Sequence, residues 1–400
     1  MTTMTQGIAA GRPQPQTTVE PAGGPFIRHS QPGRRAMYSQ SSVAVSGLVA
    51  NPLVAAPGYT RAFRLKVAAT GGNATTATAA ADFPGSILSL LQLKDSFGTP
   101  LIVAPGYEAL ILLQMFGGQY GLDAQSYPPN IGGTYSTVAA STGNFTFSSS
   151  IPLEFSKAYG VISSANASLL PTLQMNVNTG AGIYGTSVPA TLPTFQFVVD
   201  QDFYWLPEGV SVEPPGLGTT EQWVYQPCNP TIGSAATLNV QLPRLGGYLS
   251  TIIAELRDSA GARLATPVQT GTTTNVGWGA RPRLLVDGVP LIDSELTTIL
   301  EDMSIAFGVG SGTAASNTAL PTASNPVPGG VLAFSRKTSM SQQSLGLFDT
   351  GEQYLSTNPG TQIEFACAPW AGVGSAPATL NALCGQVVPS GTLIQGLPEV

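Results

Sequence analysis

Short apolar segments recur about every ten residues along this chain, each broken off by Gly, Pro, Asn or Ser, a rhythm that suits sandwich or barrel strands. Few other folds tolerate it. The 46 Gly and 33 Pro punctuate the runs without forming a period, which excludes collagen. The clearest run begins at Tyr248. Tyr248, Ser250, Ile252, Ala254 and Leu256 share one face, and Leu249, Thr251, Ile253, Glu255 and Arg257 share the other. Ile252 and Ile253 place a large apolar side chain on each face, so a strand covered on both sides near its middle is expected. Asp258 to Gly261 supplies turn chemistry, and Arg263 with Leu264 would begin a returning strand.

Similar reasoning predicts strands at 61–70, 86–94, 107–116, 144–155, 169–177 and 194–206 in the first half. In the second half it predicts them at 221–225, 237–242, 283–287, 331–335 and 361–368. One helix stands out: Asp293 is a plausible N-cap, and Leu296, Ile299, Leu300, Met303 and Phe307 repeat at helical spacing up to Gly308. A chain of 400 residues is long for one core. Pro214-Pro215-Gly216 marks the expected boundary between residues 59–213 and 214–400. Residues 1–58 are rich in Gly, Pro, Gln, Thr and Ala and read as a flexible arm, and the end of the chain reads as a Gly/Pro-rich tail.

Charge narrows the partners. Only 10% of residues are charged, against about 25% in an ordinary soluble domain, so the surface is built from Ser, Thr, Asn, Gln and Gly. Such composition suits a protein that buries much of its outside against copies of itself, or one that sits outside a cell. The first 60 residues hold Arg12, Arg28, Arg34 and Arg35 against Glu20, while the remaining 12 basic and 21 acidic residues make the body acidic. Specific nucleic-acid binding by the body is therefore not expected. Arg28, Arg34 and Arg35 are candidate contacts with lipid or with a neighbouring subunit. No apolar signal follows Met1 and no run reaches about 18 apolar residues, so neither a secretion signal nor a membrane span is expected.

Catalytic equipment is sparse. His29 is the single histidine and lies in the arm, which argues against histidine-based triads and metal sites in the body. Cys228, Cys367 and Cys384 have no metal or redox spacing and read as small buried residues. Asp200 and Asp202 share a strand face, as two glycosidase carboxyls about 5–10 Å apart would need, but a solvated strand end explains them more simply. Gly308 to Gly312 follows a helix and lacks the Lys-Ser/Thr ending of a phosphate loop, so it reads as linker. No catalytic, metal or cofactor site is expected, and no enzyme activity.

The order of segments resembles the double jelly-roll major capsid proteins of membrane-containing tectiviruses and the wider tectivirus–adenovirus lineage. In the first half the resemblance rests on Phe63-Arg-Leu-Lys-Val-Ala-Ala-Thr70, Asp82-Phe-Pro-Gly85 before the strand Ile87 to Lys94, and Ile151-Pro-Leu-Glu-Phe155. In the second half it rests on Tyr248-Leu-Ser-Thr-Ile252 with its turn, Leu291 through the helix to Phe307, Pro328 to Ser335, and Thr361-Gln-Ile-Glu-Phe365. It implies an all-β chain of two consecutive eight-stranded jelly rolls, with one short helix in the second and an extended N-terminal arm. It also implies a structural protein of a bacteriophage virion, made in the host cytoplasm. Homotrimers of pseudo-hexagonal outline would tile an icosahedral shell over an internal membrane and meet neighbouring capsomers and minor capsid and vertex proteins, with the arm running toward lipid. Alternatives are an extracellular β-sandwich, such as a phage fibre or carbohydrate-binding module, and a glycosidase using Asp200 and Asp202. A tailed-phage capsid protein would need a long spine helix that the sequence does not show.

Overall fold

The computed structural model describes residues 24–51, 58–80, 82–117, 136–155, 158–164, 170–214, 217–228, 238–242, 246–258, 261, 281–307, 330–335, 355–358, 360–367 and 377–389. In the first half the strands are β1 (Gln31–Val43), β2 (Leu48–Asn51), β3 (Tyr59–Thr70), β4 (Leu88–Lys94), β5 (Pro100–Ala104), β6 (Phe145–Pro152), β7 (Ile162–Ser163), β8 (Thr172–Val177) and β9 (Thr194–Trp205). In the second they are β10 (Thr219–Cys228), β11 (Leu238–Gln241), β12 (Tyr248–Asp258), β13 (Arg283–Val286), β14 (Val289–Asp293), β15 (Val331–Ser335), β16 (Leu355–Ser356), β17 (Ile363–Cys367) and β18 (Pro377–Pro389). The α-helices are α1 (Gly24–His29), α2 (Gly180–Tyr184) and α3 (Leu296–Phe307), and a π-helix spans Glu108–Gly117.

Sheet order reveals an internal repeat. In the first half β1-β9-β3-β6 form one sheet and β2-β8-β4-β5 run side by side in another. In the second half β10-β18-β12-β15 and β11-β17-β13-β14 follow the same pattern. Each half is thus an eight-stranded jelly roll, with β7 and β16 as short additions. A helix follows the fifth strand of both: the π-helix after β5 and α3 after β14.

The two rolls are joined through their sheets. β5 pairs with β10 in parallel, Trp223 opposite Ile102 and Val224 opposite Val103, so two four-stranded sheets become one continuous sheet. Both rolls therefore stand the same way up. One end of the molecule carries the β4–β5 and β13–β14 turns, the starts of β1, β3, β10 and β12, and the end of β9.

Alternation explains the core. Phe195, Phe197 and Val199 on β9 are fully buried, while the alternating Thr194 and Gln196 are exposed. Phe63, Leu65 and Val67 on β3 behave alike, and each such side chain contributes about 1.5–3 kcal/mol on leaving water. Ile252 and Ile253 are both 1% exposed, as expected for a strand covered on both faces. The buried cluster is continuous across both rolls, and a second, small cluster gathers Phe26, Ala158, Val161 and Tyr204.

Several expectations need correction. Residues 31–51, expected within a flexible arm, form β1 and β2, with Met37, Val43 and Val49 buried. β1 is an edge strand, and its Pro32, Arg34 and Arg35 are the residues that protect an edge from further pairing. Residues 1–23 lie outside the described residues. The segment 107–116, expected as a strand, is mostly π-helix: a buried apolar run lacks the periodicity that separates the two, and Glu, Ala, Leu, Gln and Met favour helix. Residues 377–389, expected in a tail, are the long central strand β18 between β10 and β12. Asp293 does not precede α3 directly; it ends β14 and pairs with Arg281 and Arg283 at 2.7 and 3.2 Å. The expected returning strand at Arg263 and the loop from Gly308 lie outside the described residues.

Candidate interaction site

The three arginines singled out in the sequence do not gather in one patch. Arg28 is exposed on α1, while Arg34 and Arg35 are neighbours on β1 and leave it on opposite faces. Arg35 stands opposite Gln201. Arg34 stands opposite Asp202, donating from Nε to Oδ1 at 2.6 Å and from Nη2 to Oδ2 at 3.4 Å. His29 closes α1 beside the start of β1.

Asp202 also accepts from Arg64 Nε at 2.7 Å, and Asp200 accepts from Lys66 Nζ at 2.7 Å. Both carboxylates are buried in the sheet that carries them. Nearby, Glu154 binds Arg61 at 2.6 Å, the Tyr204 hydroxyl at 3.0 Å and the Ala158 amide at 2.7 Å. Arg61 lies over the Tyr204 ring, 4.3 Å from its centre, and Phe26 packs edge-on against Tyr59 and Tyr204. Every one of these carboxylates is engaged by a cation across strands. The geometry serves to fasten the edge strand and α1 to the sheet, and it leaves Asp200 and Asp202 unlike a pair of glycosidase carboxyls waiting in a cleft.

Among the described residues, eight large apolar side chains are substantially exposed: Ile27, Leu48, Phe97, Val188, Trp205, Leu217, Tyr248 and Val289. All but Leu48 and Val188 sit at the end that carries the two hairpin turns. Phe97 occupies the β4–β5 turn and is 73% exposed, and Val289, just after the β13–β14 turn, is 66% exposed. Trp205 ends β9, Tyr248 opens β12, Ile27 is on α1 and Leu217 precedes β10. The alternation of β4 and β13 did not disclose this, because it depends on how the two rolls are set relative to each other.

A third feature lies between the rolls. Arg257 on β12 reaches Asp82 at 2.5 Å and Glu108 at 3.4 Å in the first roll, and Glu255 on its own strand at 3.0 Å. Glu108 and Glu255 are buried, and the Tyr107 ring lies 5.9 Å from the guanidinium. A cavity of about 520 Å³ opens beside the cluster, lined in part by Asp82, Ser86, Glu108, Tyr225 and Arg257. Burial, then the nearby Glu108 carboxylate, pushes the Glu255 carboxyl well above the ordinary range. Glu255, Asp82 and Glu108 hold the Arg257 guanidinium firmly charged against the desolvation that opposes it.

Among the described residues no group of three or more His, Cys, Asp or Glu is placed to hold a metal ion. No helix among them is long and apolar enough to cross a membrane. Cys384 is buried in β18, whereas the side chains of Cys228 and Cys367 lie outside the described set.

No protein-family model matches the chain, and no curated protein matches it. Solved structures do. The major capsid protein of Sulfolobus turreted icosahedral virus aligns with a TM-score of 0.55 at 13% identity, over 90% of this chain and 97% of that one. VP54 of PBCV-1 aligns at 0.54 and 11% identity over 93% and 97%. The Faustovirus major capsid protein aligns at 0.54 and 8% identity over 90% of each chain. These likenesses span both halves of each molecule, and with the sheet order they define the fold as a double jelly roll.

Proposed function

We propose that the chain is a structural major capsid protein, which forms trimeric capsomers of pseudo-hexagonal outline and tiles an icosahedral shell. The observation that carries this reading is the parallel β5–β10 pairing, which stands two jelly rolls upright and side by side in one chain. Three copies then present six similar columns around a threefold axis, the outline that hexagonal tiling needs. The fold shared with proteins described as viral major capsid proteins points the same way. So does a surface poor in charge, suited to many modest contacts between copies.

The shell reading extends to an internal membrane. The end bearing Phe97, Trp205, Tyr248 and Val289 is the one that would face lipid, since Trp and Tyr favour the boundary between headgroups and acyl chains. Arg28, exposed on α1 at that end, would meet headgroups or an adjacent capsomer, as would the arm that precedes it. Arg34 is a weaker candidate because Asp202 already holds it. Minor capsid and vertex proteins would be further partners.

Purified protein examined by mass measurement and negative-stain microscopy tests the proposal. Trimers of hexagonal outline support it. Exposed Trp205 and Tyr248 also give a sugar-binding module something to build on. A stable monomer whose melting temperature rises with added oligosaccharide would replace the capsid reading with that one.

A further inference from the structure

The β5–β10 seam uses one pair of sheet edges and leaves the equivalent pair open. β14 stands in the second roll where β5 stands in the first, and β1 stands in the first where β10 stands in the second. Among the described residues, no strand lies along the outer edge of β14 or of β1. The two hairpins match in detail. The β4–β5 pairing skips Leu101 between Ile102 and Pro100, and the β13–β14 pairing skips Leu291 between Ile292 and Pro290. Pro100-Leu-Ile-Val103 therefore corresponds to Pro290-Leu-Ile-Asp293. Burial separates them: Leu101 and Ile102, beside β10, are each 1% exposed, whereas Leu291 and Ile292 are only half-buried.

The other two edges correspond as closely. β3 and β12 each bulge by one residue where they pair with the last strand of their roll, at Arg61 and at Ser250. Matching those bulges sets Asp202 on Gly385 and Gln201 on Cys384. The strands opposite then set Arg34 on Trp223 and Arg35 on Val224. Trp223 and Val224 are the residues that β10 pairs with Ile102 and Val103. Both are buried, while Arg34 and Arg35 are exposed.

We propose that β14 of one copy pairs in parallel with β1 of the next in the register of the internal seam, Ile292 opposite Arg34 and Asp293 opposite Arg35. This pairing rests on the trimeric capsomer proposed above. Three such head-to-tail contacts close a ring of six rolls, each joined to the next by the same kind of seam. The four-stranded sheet of one copy and the five-stranded sheet of its neighbour merge into nine strands, as many as the sheet that already spans one chain. Leu291 and Ile292 are then covered as Leu101 and Ile102 are. Residues opposite in the ladder share a face, which brings Arg35 to the Asp293 carboxylate. Arg281 and Arg283 both meet Oδ1 of Asp293, so Oδ2 is the oxygen available to a third guanidinium. Pro32 lies two residues before this ladder starts. The arginines that deter an indiscriminate partner suit one that brings a carboxylate.

Cysteines at opposed positions read the register directly. Arg35→Cys together with Asp293→Cys in the full chain should give disulfide-linked dimers and trimers under mild oxidation, and nothing larger. Each single variant should stay free of cross-links, which also controls for Cys228, Cys367 and Cys384. Native mass of the same samples separates two failures. Trimers without cross-links overturn the β14–β1 pairing and leave the capsomer reading standing, whereas a monomeric wild type overturns both. Should the double variant not fold, hydrogen exchange in the wild-type trimer decides. Backbone amides at 291–293 that exchange as slowly as those at 101–103 support the pairing, and fast exchange there refutes it.

Discussion

Arg34 and Asp202 stand directly opposite one another on β1 and β9, joined at 2.6 Å, and the other oxygen of the same carboxylate takes Arg64 from β3. One buried acid thus ties three neighbouring strands together across the outer edge of the first roll. Asp202→Asn would leave two guanidiniums facing an amide. Removing one partner of a buried pair costs about 3–5 kcal/mol, but Arg34 is half exposed, so about 1–3 kcal/mol is expected in denaturant unfolding. A loss below the error of that measurement would mean that the triad does not fasten β1.

Ile252 and Ile253 face opposite sides of β12 and are both buried. Ile252→Asp or Ile253→Asp would put an uncompensated carboxyl into packed surroundings at a cost of several kcal/mol. Soluble folded protein should be lost in both variants, by size-exclusion chromatography and circular dichroism. Recovery of folded protein from either would contradict the covering of β12 on that face.

Gly58 lies at the hairpin end with φ +97°, and a Cβ added there would come 1.8 Å from the Tyr204 carbonyl oxygen. Gly58→Ala must move the backbone of β9 where Arg61, Tyr204 and Phe26 meet. A fall in melting temperature of at least several degrees is expected, with chain entropy unable to compensate.

Phe97 and Val289 are solvent-exposed at the two hairpin turns, so replacing both by Ser should change stability by less than about 0.5 kcal/mol. Flotation with phospholipid vesicles separates a lipid-facing role from an incidental one. The wild-type protein should float and the double variant should not. Equal flotation of both would assign lipid contact to another part of the surface.

Tyr184 is fully buried and donates to the Gly143 carbonyl at 2.8 Å, and burial raises its hydroxyl from 10.0 to about 12. The neutral phenol is favoured by folding, so its contribution is present below pH 10 and disappears as pH rises through 12. Tyr184→Phe should lose about 1 kcal/mol at neutral pH and show a shallower decline between pH 10 and 12. Identical declines in both proteins would place the alkaline sensitivity elsewhere.

What the sequence disclosed followed from local pattern. β3, β9, β12 and α3 were all visible because a face repeats at period 2 or 3.6. β1 was hidden because an edge strand buries little: of its thirteen residues only Met37 and Val43 are buried, so its composition imitates a polar arm. The π-helix was hidden for the converse reason, being buried on all sides where described. Asp200 and Asp202 were rightly noticed as a same-face pair, yet their partners Arg34, Arg64 and Lys66 are more than a hundred residues away in the chain. The contacts of Arg257 with Asp82 and Glu108 were beyond reach for the same reason, since they join residues of different rolls.

The parallel seam between β5 and β10 has a consequence for anything built from this chain. An antiparallel join would make the two ends of the molecule alike, and a layer of such molecules would be indifferent to which side it presents. Here the helices after β5 and β14 belong to one end and the apolar hairpin turns to the other. A layer of such molecules set in one orientation would be vectorial, with two faces of different chemistry already written into each subunit.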